Sequence, residues 1–357
     1  MASSQPLNKK SLLSVQELAK EPMLAIPHRY VQPYQESTVL SDSFSLPIVD
    51  MKNLIMGESK ELELEKLDSI CKTLGIFQVV NHGVNSLVVE KLKYEIQEFY
   101  KLPVDDKLKY KLRPGDVEGY GQTPLQSEDH KADWGDRFYM ITNPLHRRKP
   151  YLLPELPPSL RDTMESYLSE LQNLAMTLFG LIAEALKIDT REIEEMFVDG
   201  MQSVRMTYYP PCPQPERVVG LTPHSDATGI TILLQVNGVE GLQVKKGGVW
   251  IPVKFLPDAF VVNVGDILEI FSNGMYNSIE HRAMVNTVKE RISMAMFFNP
   301  KFEEEVGPAT SILNPQNPPL FKRVKMENYF KELISRKLNG KSFLEHMKLN
   351  NSASHTI

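Results

Sequence analysis

Cysteine is almost missing from this chain: 357 residues contain two, Cys71 and Cys212. Two thiols build neither a disulfide framework nor a cysteine-rich zinc site, so a stapled secreted scaffold is excluded and a reducing compartment fits. No run reaches the roughly 18 apolar residues of a membrane span. The opening MASSQPLNKKSLLSVQELAK lacks the apolar centre and small-residue cleavage site of a secretory leader. The closing SHTI is neither a prenylation box nor a peroxisomal or ER-retention signal. Excess positive charge is also lacking. Forty Lys and Arg face 45 Asp and Glu, a formal net charge of −5. That balance argues against nucleic acid or an anionic membrane as the main partner. The basic stretch HRRKP, His146 to Pro150, reads as a solvated loop. No internal repeat or low-complexity tract is present. The expectation is a cytoplasmic protein, with the nucleus as a second location, that meets small molecules and works as a monomer.

What remains is an ordinary globular composition, 42% hydrophobic and 24% charged, ample for a large core. A short amphipathic helix is predicted from Ser14, with Val15, Leu18 and Ala19 on one face, before Pro27 and Pro33 keep the chain irregular. SLPIVDM (Ser45 to Met51) reads as a first strand, and ELELEKLDSICKTLG (Glu61 to Gly75) as a helix ended by glycine. IFQVVNHGV (Ile76 to Val84) reads as a buried strand, and a helix follows over about Leu87 to Tyr100. Lys101 to Pro158 is loop-rich. Ser159 to Ile188 is one long amphipathic helix or a pair.

From about Gln202 the character changes to short β-rich runs: SVRMTYYP, GITILLQV, GLQVKKGGVWIPV, AFVVNVGDILEIFS, SIEHRAMV and RISMAMFFNP. Turn residues punctuate them at the rhythm of an antiparallel sandwich or jelly roll. A closing helix is expected over about Met326 to Lys348. The fold class is therefore mainly β with α: a double-stranded β-helix (jelly-roll) core wrapped by helices, with long central and C-terminal ones. Boundaries are expected at 1–150 for an α/β lead-in, 151–200 for a helical connector, 201–301 for the core and 302–357 for a C-terminal helical region.

Within the β-rich part, GLTPHSDATG carries His224 and Asp226 two positions apart. In a strand such residues share a face, and a buried carboxylate must be paired or bound to metal. The spacing alone says little. His281, in another predicted strand of the same region, supplies a third ligand. Two imidazoles and one carboxylate make a facial triad with open positions, the set that suits non-haem Fe(II) and O2 chemistry. One strand later, Arg291 and Ser293 again share a face. A guanidinium beside a hydroxyl suits a carboxylate.

These residues in this order, with YYPPCPQP (Tyr208 to Pro215) upstream, resemble the plant 2-oxoglutarate- and Fe(II)-dependent dioxygenases. IFQVVNHGV and VVNVGDILEI extend the likeness over about Val15 to Leu344. SVQELAK, RYVQP, GDVEGYGQ and LNGKSFL are most similar to the branch that hydroxylates or O-demethylates specialised metabolites, the alkaloid O-demethylases and SRG-like proteins. The resemblance implies iron on His224, Asp226 and His281. It implies 2-oxoglutarate on Arg291 and Ser293, with Tyr209 hydrogen-bonding the same cosubstrate.

The family usually has Asn where Thr207 stands, and often an aromatic where Ile76 stands. His82 is read as a structural hydrogen-bonder and Cys212 as inert. Tyr120, Phe138 and Phe297 are candidate substrate-pocket aromatics. The resemblance implies oxidation of a small plant metabolite such as an alkaloid or flavonoid, with 2-oxoglutarate leaving as succinate and CO2. O2 is consumed, and ascorbate is the expected reductant. Two rivals share much of this pattern: an ascorbate-dependent oxidase, and a dead dioxygenase scaffold that only binds small molecules.

Overall fold

Two β-sheets face each other and enclose the polar residues singled out above. The computed structural model describes residues 14–349, apart from 22, 24, 33–37, 39–43, 124–130 and 337–338. Pro33, the first 13 residues of the opening stretch and the SHTI terminus lie outside those residues. Twelve strands build the two sheets: β1 (Ile48–Asp50), β2 (Ile76–Val80), β3 (Gly119–Gly121), β4 (Asp136–Asn143), β5 (Gln202–Tyr209), β6 (Leu221–His224), β7 (Ile230–Gln235), β8 (Leu242–Lys246), β9 (Val249–Pro252), β10 (Phe260–Val264), β11 (His281–Ala283) and β12 (Arg291–Phe298). The large sheet runs β1-β2-β10-β7-β12-β5-β4-β3, and the small one β6-β11-β8-β9. Only the β1–β2 pair is parallel among these neighbours. This is the expected jelly roll.

The outer face of the large sheet is apolar and packs on helices. The single helix Pro158–Leu186 buries Leu168, Leu171, Leu178 and Ile182 along one stripe, so the open choice between one helix and two resolves to one. Lys187, in the left-handed conformation, ends it. The helix Ser86–Lys101 adds Leu92, Ile96 and Phe99 to the same core.

Four expectations change. Lys101 to Pro158, read as loop, contains β3 and the eight-residue β4, which pairs with β5 inside the large sheet. The charged start of DRFYMITN hides its alternation, because Asp136 and Arg137 are themselves buried. AFVVNVGDILEIFS is a strand followed by the helix Asp266–Phe271. Gly265 sits at the switch, where a Cβ would meet Thr228 O at 2.1 Å. The closing helix is two short ones, Met326–Ser335 and Ser342–Met347, with Gly340 at φ +53° between them. The first strand is three residues long, because Asp50 caps a helix that begins at Met51.

The N-terminal helix Val15–Leu18 forms as expected, and it is tethered by a residue far along the chain. Asp136, fully buried, accepts from Ser14 Oγ (2.5 Å), Val15 N (2.8 Å) and Gln16 N (3.0 Å). Removing the carboxylate strands three buried donors, each costing about 1–3 kcal/mol. Asp136→Ala is therefore expected to lose about 3 kcal/mol in chemical denaturation and to expose the segment around Val15 to protease. A variant with native stability and native protection would refute the tether.

Gly75 ends the helix Lys60–Thr73 at φ +71°, and an added Cβ would lie 1.7 Å from Asn277 O. The Asn277 backbone cannot retreat freely, since its N–H donates to Cys71 O at 2.8 Å. Gly75→Ala is expected to cost about 3–5 kcal/mol, combining left-handed strain with overpacking. A denaturation midpoint within error of the parent would overturn that account.

Candidate active site

The period-two alternation of three neighbouring strands lines one wall of the space between the sheets. Arg291 pairs with Tyr209, Ser293 with Thr207, and Ala295 with Arg205 across β12 and β5. On the other side of β12, Ser293 meets Gln235 and Phe297 meets Thr231. Residues directly opposite share a face, so clamp, cation and aromatic all project into one cavity of about 60 Å3.

The opposite wall carries the histidines. His281 and His224 are register partners across β11 and β6. Asp226 departs from expectation: β6 ends at His224, so strand alternation does not aim the carboxylate. Side-chain hydrogen bonds do. Asp226 Oδ2 accepts from Thr231 Oγ1 (2.7 Å) and Asn263 Nδ2 (2.9 Å). Those partners sit on β7 and β10 of the large sheet, so Asp226 bridges the two sheets. Its other oxygen, Oδ1, lies 3.3 Å from His224 Nε2 and 3.7 Å from His281 Nε2. Each imidazole is oriented from behind. His224 Nδ1 donates to Thr222 O (2.8 Å) and His281 Nδ1 to Ile279 O (3.2 Å).

One ligand atom from each of the three residues falls within 4.8 Å of the others. Two imidazole nitrogens and one carboxylate oxygen, all locked from behind, fit a divalent iron with open positions. Burial alone would raise the Asp226 carboxyl. The charges of His281 and His224 and the Thr231 hydroxyl outweigh it and hold Asp226 well below the usual carboxylate range. Burial pushes His281 down to about 4, and the neighbouring His224 adds to this against the pull of Asp226. His281 is therefore neutral near pH 7, the form that ligates metal. For His224 burial acts downward, but its hydrogen bond to Asp226 prevails and the net shift is upward.

Arg291 is 2% exposed and lightly held. Its guanidinium donates to Ser293 Oγ (3.2 Å) and Gln235 Oε1 (3.3 Å), while Nε has no hydrogen-bond partner among the described residues. A buried guanidinium with spare donors fits a carboxylate from a bound cosubstrate. Tyr209 lies beside it, ring centroid 5.2 Å from the Arg291 guanidinium carbon. Gly135 and Gly220 press on that ring, each leaving no room for a Cβ.

Phe297 and Thr207 line the cavity, and so does Ile76, one of the two departures from the family pattern. Tyr120 and Phe138 do not. Phe138 pairs with Met206 on the outer face of the large sheet, and both aromatics pack with Phe99 in the core. One residue of register separates that face from the cavity. His82 bonds Asp258 O and Val84 N, as expected of a structural histidine. Cys212 is buried, which pushes its thiol up to about 11.

Sequence reasoning missed Asn263, Thr231, Arg205 and Gln235. Asn263 carried a signal, a lone amide inside the apolar run VVNVG. Arg205 lines the cavity with its Nε unpartnered among the described residues. Also missed was a clasp from the chain's far end. Gly340 N donates to Pro223 O (3.0 Å), and Ser225 N donates to Gly340 O (3.3 Å), on either side of His224. Lys341 Nζ donates to Glu269 Oε2 (2.7 Å) and to Ser278 O (2.9 Å), just before His281.

A jelly roll with two histidines and an aspartate converging between its sheets, beside a buried arginine, defines a non-haem iron oxygenase. Residues 200–300 match the 2OG-Fe(II) oxygenase superfamily, and residues 46–159 match the N-terminal region described as non-haem dioxygenase in morphine synthesis. The chain belongs to this family of 2-oxoglutarate- and Fe(II)-dependent dioxygenases. It is 50% identical to Protein SRG1 of Arabidopsis thaliana over 94% of this chain and 96% of that one. It is 49% identical to codeine O-demethylase of Papaver somniferum, covering 96% and 97%. It is 48% identical to oxoglutarate-dependent flavonoid 7-O-demethylase 1 of Ocimum basilicum, covering 98% and 95%. Among solved structures, JOX2 in complex with 2OG, Fe and JA superposes with a TM-score of 0.87 at 33% identity, covering 97% of this chain and 98% of that one. The protein is an oxidoreductase that uses iron and 2-oxoglutarate, and no described helix is long and apolar enough to cross a membrane.

Proposed function

We propose that His224, Asp226 and His281 hold the iron, that Arg291, Ser293 and Tyr209 hold the far carboxylate of 2-oxoglutarate, and that the enzyme hydroxylates or O-demethylates an alkaloid or flavonoid. The observation that carries this reading is the convergence of both Nε2 atoms on Asp226 Oδ1, on the wall facing the buried Arg291. With iron bound, 2-oxoglutarate and O2 supply the oxidising equivalent that puts one oxygen atom into a substrate C–H bond, and succinate and CO2 leave.

The protein's own residues orient and protect. Asn263 and Thr231 fix the Asp226 carboxylate, so one oxygen faces the histidines. The carbonyls of Thr222 and Ile279 set both imidazole tautomers. Arg291 neutralises the dicarboxylate and fixes which end faces the histidines. Phe297 offers a flat apolar surface to a substrate ring, and Arg205 a cation to an acceptor on that ring. Leu233, Ala295 and Ile76 keep the remaining walls dry. When the oxidised carbon is an O-methyl group, the hemiacetal loses formaldehyde and the oxygen stays on the product as a phenol. The relatives' demethylase names favour methoxylated substrates.

The test is product mass after incubation with Fe(II), 2-oxoglutarate and ascorbate against methoxylated alkaloids, flavonoids and coumarins. Gain of one oxygen identifies a hydroxylase, and loss of one CH2 with formaldehyde a demethylase. Turnover without 2-oxoglutarate but with ascorbate would instead support the ascorbate oxidase. No product and no succinate would support the binding scaffold.

A further inference from the structure

A second cavity, about 250 Å3, lies outside the iron site. It opens between the helix Ser86–Lys101, the end of β7 and the start of β10. At ~30 Å3 per water it holds the volume of about eight waters, the size of a one- or two-ring molecule. Its walls are apolar: Leu234, Val236 and Phe260 are buried, while Phe255 and Leu256 are partly open at the mouth.

Charge around the mouth is net negative, with Lys93 its one cation among the lining residues. Glu90 is already paired with Lys93 at 2.7 Å. His82 uses both ring nitrogens, accepting from Val84 N at Nδ1 (3.1 Å) and donating from Nε2 to Asp258 O (3.0 Å), which is the neutral tautomer. Burial pushes its pKa down in the same direction. Glu240 and Asp258 also border the cavity, and neither makes an ion pair among the described residues. Two unpaired carboxylates above an aromatic and aliphatic floor are complementary to an amphipathic cation. A protonated amine on a ring system places its charge at the rim and its rings on Phe255 and Phe260.

The cavity also touches the cosubstrate clamp. Gln235 borders it, accepts from Arg291 through Oε1 at 3.3 Å, and donates through Nε2 to Val239 O in the loop that forms the mouth. That loop is stitched to β12, with Asn237 Oδ1 accepting from Ile292 N at 3.0 Å and Val236 N donating to Ile292 O at 3.0 Å. The wall between the two sites is therefore one side chain thick. We propose that this cavity is a second small-molecule site, selective for an amphipathic protonated amine, and that its occupancy alters 2-oxoglutarate affinity through Gln235 and Arg291.

The test uses the full chain and needs no turnover, so its outcome is independent of which substrate the iron site accepts. Naphthylmethylamine is titrated by its own fluorescence, with methylnaphthalene and naphthoate as neutral and anionic counterparts. The amine is expected to bind about tenfold tighter than either, each rim carboxylate adding a few-fold. The double variant Glu240→Gln/Asp258→Asn should erase that preference without lowering methylnaphthalene binding. Leu256→Trp, which fills the mouth, should block all three. In Fe(II)-loaded protein without oxygen, saturating amine should shift the 2-oxoglutarate dissociation constant about fivefold. Gln235→Leu should remove that shift while the amine still binds. Equal binding of the three probes, or amine binding untouched by Leu256→Trp, would overturn the site. An unshifted 2-oxoglutarate constant would overturn the coupling.

Discussion

Asp226→Ala is expected to lower turnover at least about a thousandfold, a loss near 4 kcal/mol in transition-state terms. Bound iron should fall to background in elemental analysis. The geometry makes this substitution more damaging than loss of one ligand among several. Asp226 is the only anion in the triad, so its loss leaves two uncharged ligands to hold a divalent cation. It also strands Thr231 Oγ1 and Asn263 Nδ2, whose bonds join the two sheets. Leaving two buried donors unpaired costs about 1–3 kcal/mol each, so a moderate loss of stability should accompany the loss of metal. Asp226→Asn separates the two effects. It restores an acceptor and removes the charge, so stability should recover while metal content and turnover stay low. Activity and metal retained in both variants would remove Asp226 from the iron site.

The second large effect is Arg291→Gln, expected to raise KM for 2-oxoglutarate about a hundredfold, near 2.7 kcal/mol, with kcat reduced much less. No carboxylate pairs with the guanidinium among the described residues, and Tyr209 is its nearest aromatic neighbour. The two side-chain bonds of Arg291 are long, and its Nε is unpartnered among the described residues. A dicarboxylate therefore replaces weak neutral contacts with charge-assisted ones in a dry pocket, where truncating one partner costs about 2–5 kcal/mol. Arg291→Lys should fall between, since an ammonium gives up the planar fork. The split between KM and kcat is the diagnostic reading. A variant that lost kcat at unchanged KM would place Arg291 outside the clamp.

The iron ligands and clamp were legible because their chemistry depends on residue type. His224, Asp226, His281, Arg291 and Ser293 are poor choices for a buried β-rich region unless something binds there, and the cavity brings all five together. Period two placed Arg291 and Ser293 correctly. It put Asp226 beside His224, where the structure has it, but not for the right reason, since its direction comes from Thr231 and Asn263 after the strand has ended. Supports of that kind carry no local pattern, because β7 and β10 meet only when the sheet assembles. β4 was hidden for a related reason. Asp136 and Arg137 look like loop residues until Ser14 and the Val117 carbonyl are seen to bond them. Phe138 and Tyr120 show the limit of aromatic content as a guide. The loop-rich reading supplied no register, so the sequence held nothing to say which side of the sheet they faced. Gly265 and Gly340 were the available signals for the strand-to-helix switch and for the broken closing helix.

The clasp of Gly340 and Lys341 around His224 has a consequence for how the protein is made. Pro223 and Ser225 take these backbone partners from Gly340, far along the chain. A nascent polypeptide can form both sheets while that segment is still inside the ribosome, yet the strand end bearing His224 lacks its final tether. Synthesis is therefore ordered, with the β scaffold first and a fully fastened iron cradle only once Gly340 and Lys341 have emerged. A chain stopped before Gly340 would hold the strands of both sheets but leave the strand end bearing His224 without these two bonds, so its expected defect is in how firmly the iron cradle is fastened.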